Sequence, residues 1–320
     1  MSHPLGYLSG SGAASATVTP LLWFTLIVSI AVSVIIGVLV VWGVLKRRVA
    51  RTESGGLPDL AIAHAEGGVR WIWIGVAISM VPLLATLVWT VAVLAETGPL
   101  PKNPPLTIDI AARRWWWDVG YGSGLQGQAF RTANEIHIPV GVPVLLRLAS
   151  RDVIHSFWVP KLGGKMDVIP GQTNLAWIEA KTPGRFVGQC AEFCGFQHAH
   201  MALEVVAEPP AQFEAWRRAQ LGDAPAATSP EGQRGLAVAE ARCARCHAIR
   251  GTPVRGGAAP DLTHLMSRQT IGAGTLPNNP GALSGWIENP QAVKPGVLMP
   301  NQALSGQQLA DLRAYLERLK

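Results

Sequence analysis

Two stretches of the chain are uninterrupted apolar runs: Pro20 to Leu45, containing "LLWFTLIVSIAVSVIIGVLVVWGVL", and Trp71 to Ala95, "WIWIGVAISMVPLLATLVWTVAVLA". Each exceeds the roughly 20 residues that a helix needs to cross a bilayer, and a soluble core helix of that length carries charge somewhere. Both are expected to be membrane spans. After "TGPLPKNPP", a proline-rich exit that favours extended backbone, the pattern changes to alternation. "LTIDIAARRWWWDVGY", "NEIHIPVGVPVLLRLAS", "TNLAWIEA" and "MALEVVAE" alternate β-branched or aromatic residues with polar ones and are broken by Gly, Pro and Asn. Several such strands between about residues 106 and 208 predict an antiparallel sandwich or barrel.

The segment "AEPPAQFEAWRRAQ" predicts a short closing helix, and "LGDAPAATSPEGQ" an Ala/Pro/Ser linker. From about Gly232 the pattern is helical. Ser305 with Gln308 three residues later forms a candidate capping box, and Leu309, Leu312, Leu316 and Leu319 recur at helical spacing. The organisation expected is an N-terminal segment over 1–19, a transmembrane helical hairpin over 20–98, a β domain over 99–218, a linker over 219–231 and a separate α domain over 232–320.

Charge gives this a direction. Charged residues are only 15% of the 320, and the net charge of +6 is unevenly placed. Lys46, Arg47, Arg48, Arg51 and Arg70 crowd the segment between the runs, whereas residues 1–19 and 96–101 hold no Lys or Arg. By the positive-inside tendency the connecting segment faces the cytoplasm and both termini lie outside; nothing points to nucleic acid. Trp23, Trp42, Trp71 and Trp89 fall near the run ends, as interfacial aromatics do.

All four cysteines then lie on the outer side, in two close pairs. Two disulfides are one reading, but the neighbours argue for metal. "CAEFCGFQHAHM" offers Cys190, Cys194, His198, His200 and Met201, and "DVIHSFWVP" adds His155, which a sandwich can bring beside that loop. A mixed sulfur and imidazole set points to copper or zinc, and the thioether favours copper. One blue-copper ion uses a single cysteine, so two thiolates could instead bridge two coppers. "CARCH", Cys243 to His247, is the attachment signature of covalent haem c, with His247 as proximal ligand. Met299 in "KPGVLMPNQ" and Met266 in "APDLTHLMSR" compete for the opposite face; His/Met ligation raises the haem potential.

The run from "SRDVIHSFWVP", which starts at Ser150, through "GQCAEFCGFQHAHM", with the hairpin and the cluster "RRWWWDVGY", resembles subunit II of haem–copper cytochrome c oxidase over about residues 20–218. Residues 228–320 resemble a class I cytochrome c, and the fusion is similar to that of caa3-type oxidases. The resemblance implies a cupredoxin-like sandwich with a dinuclear copper centre, CuA, whose ligands would be His155, Cys190, Cys194, His198, Met201 and the backbone carbonyl of Glu192. It implies that the Glu192 side chain helps bind magnesium against the catalytic subunit and that Trp115 is a surface point where electrons arrive, whereas the residues alone read Trp115, Trp116 and Trp117 as core and face residues of a strand. Met299 is implied as the haem ligand, and Trp286 and Arg268 are read either as holders of the propionates or as ordinary surface residues; the family's proton-admitting acid aligns with Arg70, so Glu66, one turn earlier, is read either as a site of proton intake or as a solvated loop glutamate. His200, His137 and His64 have no pattern that assigns them a role.

Neither apolar run contains His, Asp or Glu, so oxygen chemistry belongs to a partner. The resemblance implies a proton-pumping oxidase in a bacterial inner membrane. Its partners would be subunit I with haem and CuB, subunit III, further subunits, membrane lipid, and a donor that is either cytochrome c or an upstream respiratory complex. Two other readings share the parts: the electron-receiving subunit of a copper-containing nitric oxide reductase, and a membrane-tethered copper carrier.

Overall fold

The computed structural model describes residues 5–49, 68–122 and 127–320. The two apolar runs are helices α1 (Ala13–Val49) and α2 (Gly68–Thr97). Both are apolar all round, and side chains such as Val40, Trp42, Ile78 and Val88 are exposed rather than packed in a core. Their apolar stretches, 34 and 29 residues, exceed what a ~30 Å hydrocarbon layer requires. Hydroxyls in their middle stretches are satisfied within the helix, as an apolar surrounding demands: Ser29 donates to the Thr25 carbonyl, Ser33 to that of Ser29, and Thr86 to that of Pro82. The positively charged connection falls mostly outside the described residues.

Residues 5–16 and 100–320 form a second compact unit. α1 begins ahead of Pro20 because its first turn is fixed there: Ser15 Oγ accepts from the Gly12 amide and donates to the Lys161 carbonyl at 2.6 Å. The strands that follow among the described residues are β1 (Leu106–Arg113), β2 (Trp116–Tyr121), β3 (Phe130–Ala133), β4 (Glu135–Pro139), β5 (Val144–Ser150), β6 (His155–Trp158), β7 (Met166–Val168), β8 (Asn174–Ile178), β9 (Gly184–Cys190) and β10 (Ala202–Glu208). They make two five-stranded sheets, ordered β3-β2-β1-β5-β8 and β4-β10-β9-β6-β7. Ile108, Ile110, Trp117, Leu146 and Leu148 of the first sheet and Ile136, Ile138, Phe157, Leu203 and Val205 of the second belong to one buried core, which is the sandwich that the alternation predicts.

One expectation needs correction. The sheets are mixed rather than antiparallel: β1 pairs with β5 in parallel, Leu106 opposite Val144, and β10 pairs with β4 in parallel, Glu204 opposite Glu135. Alternation reports which face of a strand is buried and is silent about its neighbour. The closing helix is α3 (Pro210–Gln220), whose Phe213 and Trp216 pack on the sandwich.

The remainder is helical. α4 (Pro230–Arg242), α5 (Pro280–Glu288) and α6 (Pro290–Val293) each start on a Ser or Asn cap followed by Pro, the side chains of Ser229, Asn279 and Asn289 accepting backbone amides. A short hairpin, β11 (Thr270–Ile271) with β12 (Leu276–Pro277), precedes α5. α7 (Gly306–Leu316) has the expected capping box between Ser305 and Gln308. Leu312, Leu316 and Leu319 are buried with Ala239, Ile249, Leu283 and Ile287 in a core separate from that of the sandwich.

Candidate metal centres

Strand β9 delivers Cys190 beside β6, where Phe157 lies opposite it, and β10 returns immediately after Met201. The loop between is pinned at its base by the Cys190 amide on the Met201 carbonyl at 3.0 Å and by the Gln189 side-chain amide on the His198 carbonyl at 3.0 Å. Gly195 turns the loop at a φ of +112°, and a Cβ there would stand 3.1 Å from the Trp115 ring.

Two donor sets result. Cys190 Sγ lies 3.8 Å from His155 Nδ1 and 3.3 Å from the Glu192 carbonyl oxygen. Cys194 Sγ lies 3.6 Å from His198 Nδ1 and 3.9 Å from Met201 Sδ. The two sulfurs are 3.8 Å apart, far beyond the ~2.05 Å of a disulfide, and all four cysteines are free thiols. His155, Cys190, Cys194 and Met201 are buried. His155 Nε2 is held by Asp152 Oδ1 at 2.8 Å, which leaves Nδ1 facing the sulfurs, the carboxylate–histidine arrangement that orients metal ligands. Hydrogen bonding from Cys194 drives the Cys190 thiol well below its usual range, and the same contact pushes Cys194 up. Two thiolates this close repel each other, so holding both together calls for added positive charge. Soft sulfur, imidazole and thioether donors in a buried pocket suit copper.

The "CARCH" motif follows α4 in a tight turn, the Cys246 and His247 amides both donating to the Cys243 carbonyl at 3.0 and 2.9 Å. His247 Nδ1 donates to the Pro260 carbonyl at 2.7 Å, and burial lowers its pKa, so the ring is neutral with Nε2 left for a metal. Gly256 packs on this turn so closely that a Cβ would meet the Cys246 carbonyl carbon at 2.5 Å. Met299 lies in a loop fastened by Gln291, whose amide nitrogen is 2.8 Å from the carbonyls of both Val297 and Met299. Its rival Met266 packs on the helical core. The donors fit a covalent haem.

Residues 122–208 match the family described as cytochrome C oxidase subunit II, periplasmic domain, and residues 232–320 match cytochrome c. The cytochrome c oxidase subunit 2 of Alkalihalophilus pseudofirmus is 35% identical over 262 residues, covering 80% of this chain and 75% of that one. The chain belongs to the cytochrome c oxidase subunit 2 family. The subunit 2 of Bacillus sp. strain PS3 is 32% identical, over 78% of this chain and 73% of its own. The crystal structure of the periplasmic domain of subunit II of cytochrome oxidase from Bradyrhizobium japonicum is 30% identical over 38% of this chain and 96% of that domain, with a TM-score of 0.36. The subunit 2 and cytochrome c families together imply copper and haem c, and a fused C-terminal cytochrome c fits a caa3-type oxidase.

Within this subunit 2 chain Trp115 departs from the expectation of a surface residue. It is 7% exposed in the turn between β1 and β2, and its indole Nε1 donates to the Cys194 carbonyl at 2.9 Å. The helical domain covers it, Gly296 lying against the ring. Arg268 is buried, bonded through Nε to Thr132 Oγ1 and through Nη2 to the Asp261 carbonyl, while Trp286 packs in the helical core. His200 is exposed and bonds Gln197. Glu66 and His64 lie outside the described residues.

Several residues escape sequence reasoning. Asp152 has a local signal, an acid three residues before His155. Lys294 has none, since it meets only backbone carbonyls; His137 has half of one, because Glu135 lies two residues away on the same strand face while Glu208 is hidden by its distance in sequence.

Proposed function

We propose that this chain is the electron-receiving subunit of a proton-pumping terminal oxidase: electrons reach a haem c in the helical domain, pass to a dinuclear copper centre in the sandwich, and leave for a catalytic subunit that reduces oxygen to water. When bound, the two groups supply one-electron carriers of stable coordination. The observation that carries the reading is the paired donor set, two free sulfurs 3.8 Å apart, each beside its own imidazole, in the same compact unit as the "CARCH" turn.

In this reading Cys190 and Cys194 would supply the thiolates for the copper pair. His155 and His198 would each hold one ion, and Met201 and the Glu192 carbonyl would complete the set. These side chains project from β6, β9 and the loop that leads into β10, strands of a packed core, so the donors stay where they are as charge arrives and leaves. Cys243 and Cys246 would tether the porphyrin and His247 and Met299 would hold its iron, while the Pro260 carbonyl fixes the imidazole tautomer. Phe193 and Phe196 flank Cys194 and are 75% and 94% exposed, an apolar surface suited to a partner subunit. The exposed Glu192 carboxylate is available to a magnesium ion at that contact. Glu66 would admit protons. α1 and α2 anchor the chain in a bacterial inner membrane with their basic connection in the cytoplasm.

Metal analysis and spectroscopy of the intact complex test this. Two non-exchanging coppers and one haem per chain are expected, with a paramagnetic spectrum of one unpaired electron shared by two equivalent copper nuclei. Cys190→Ser is expected to abolish that spectrum and leave the haem band. One labile copper per chain would instead identify a copper carrier, and iron in place of copper beside the partner's active haem would identify a nitric oxide reductase.

A further inference from the structure

Lys294 is 1% exposed, and no carboxylate among the described residues makes an ion pair with it. An ammonium carries three donors and no acceptor, and a buried one must find three partners. Nζ donates to the carbonyls of Trp115 at 3.0 Å, His200 at 2.8 Å and Gly272 at 2.9 Å. These belong to three separate segments: the β1–β2 turn, the copper loop just before Met201, and the β11–β12 hairpin. Lys294 itself caps the C-terminal end of α6 and opens the Pro295–Met299 loop. One side chain of the helical domain therefore grips two segments of the sandwich and a third of its own domain.

Everything around it is built to the same contact. The Gln197 side chain, beside His198, donates to the Pro295 carbonyl at 2.8 Å, and the Ala202 amide donates to the Ala273 carbonyl at 3.1 Å. Further out, the Gln269 amide reaches Glu135 Oε2 at 3.2 Å. Under this grip the indole of Trp115 lies between Gly296, whose Cβ position is 3.7 Å from the ring, and the Cys194 carbonyl, 2.9 Å from Nε1. If adhesion were all that was needed, an apolar side chain would fill the space without desolvating a charge. A charge directed at three carbonyls specifies one geometry.

We propose that Lys294 is a positioning residue for internal electron transfer, docking the haem-bearing domain on the copper loop so that Trp115 is an enclosed bridge between the Met299 loop and Cys194, closed to diffusing donors. The inference rests on the relay reading above. Tunnelling falls steeply with separation, so a fixed dock sets the rate, and an external cytochrome must deliver to the helical domain because the indole is covered.

The test uses the complete metal-loaded complex and Lys294→Met, which keeps length and loses every donor; Lys294→Gln, with two donors and no charge, guards against simple misfolding. Hydrogen–deuterium exchange is followed by mass spectrometry on peptides containing Ala202 and Gln269, with β5 as internal reference. In Lys294→Met both interface amides are expected to exchange about tenfold faster, the least effect that losing bonds from a charged donor gives, while β5 is unchanged. Copper reduction after rapid photoreduction of the haem is expected to slow by a similar factor, with both metal spectra unaltered. Lys294→Gln is expected to fall between. Unchanged exchange at Ala202 and Gln269 overturns the dock, and faster exchange with an unaltered transfer rate overturns the positioning role. Faster exchange in a chain whose unmodified form never passes an electron from haem to copper supports the dock and overturns the relay instead.

Discussion

His137 has an acceptor on each side: Nδ1 is 3.0 Å from Glu208 Oε2 and Nε2 is 2.9 Å from Glu135 Oε1. A ring with carboxylates at both nitrogens must carry both protons, so it is an imidazolium. It stacks on Trp216 at 4.0 Å between centroids and 8° between planes. Burial alone would lower its pKa, but the hydrogen bonds and charges of Glu135 and Glu208 outweigh it, and the net shift is upward from 6.5. Burial alone would likewise raise Glu135, yet His137, the Gln269 amide and Arg185 bring it below 4.5. The signs fix the pH window. The raised histidine stabilises fully below 6.5 and that stabilisation is lost as pH rises through its folded value; the lowered glutamate stabilises above 4.5 and is lost as pH falls. The sandwich is therefore expected to unfold at a higher temperature at about pH 6 than at about pH 9. His137→Gln is expected to flatten that alkaline decline and to cost about 2 kcal/mol, since it leaves the buried Glu135 with Arg185 as its one remaining cation and the partly exposed Glu208 without one. Calorimetry of the variant at both pH values checks this, and an unchanged alkaline slope would refute it.

Among the elements, α4 and α7 cross where Gly235 leaves no room: a Cβ there would stand 2.1 Å from the Asp311 carbonyl oxygen and 2.7 Å from Tyr315 Cβ. Helix propensity favours Gly235→Ala by about 1 kcal/mol. Overpacking against backbone costs ~1–3 kcal/mol and here wins, so the variant is expected to lower the unfolding temperature of the helical domain and leave the copper signal intact. A more stable variant would show that the helices part freely. Crossings of this kind are not visible in the chain itself, and legibility follows the range of the interaction. The candidate copper loop is legible because Cys190 to Met201 are near neighbours in sequence, and α7 because Ser305 and Gln308 cap it locally. Strands β1, β5 and β10 show in their alternation, whereas β6 and β7 have four and three residues, too few to display a period. His155 therefore reads as a residue following β5 although it begins β6. The pairing of His137 with Glu208 depends on β4 lying parallel to β10, a neighbour relation that no pattern within either strand encodes. Lys294 is hidden for a different reason: its acceptors are main-chain carbonyls, which every residue has. The Ser-Pro and Asn-Pro starts of α4, α5 and α6 are a local signal that would locate those helices.

At the scale of the whole molecule, the sandwich and the helical domain belong to one compact unit and are joined by a short segment. The contacts that cross between sandwich and helical domain have a particular character. Lys294 and Arg268 meet neutral oxygens, Gln197 and Ala202 meet carbonyls, and Glu135 meets the Gln269 amide. No ion pair among the described residues bridges the two domains. Salt weakens attraction between exposed opposite charges, over a screening length that shrinks from about 30 Å at 0.01 M to about 3 Å at 1 M, and has little to act on here. Delivery from a separate cytochrome to the helical domain is a different case, because steering of charged partners varies strongly with ionic strength. The transfer from haem to copper, followed after flash reduction of the intact complex, is therefore expected to keep its rate across that salt range, while reduction of the haem by an external charged donor changes by about tenfold or more. If the internal rate followed the external one, the helical domain would be leaving and re-finding the copper loop in each turnover, and the dock would be an encounter surface rather than a fixed joint.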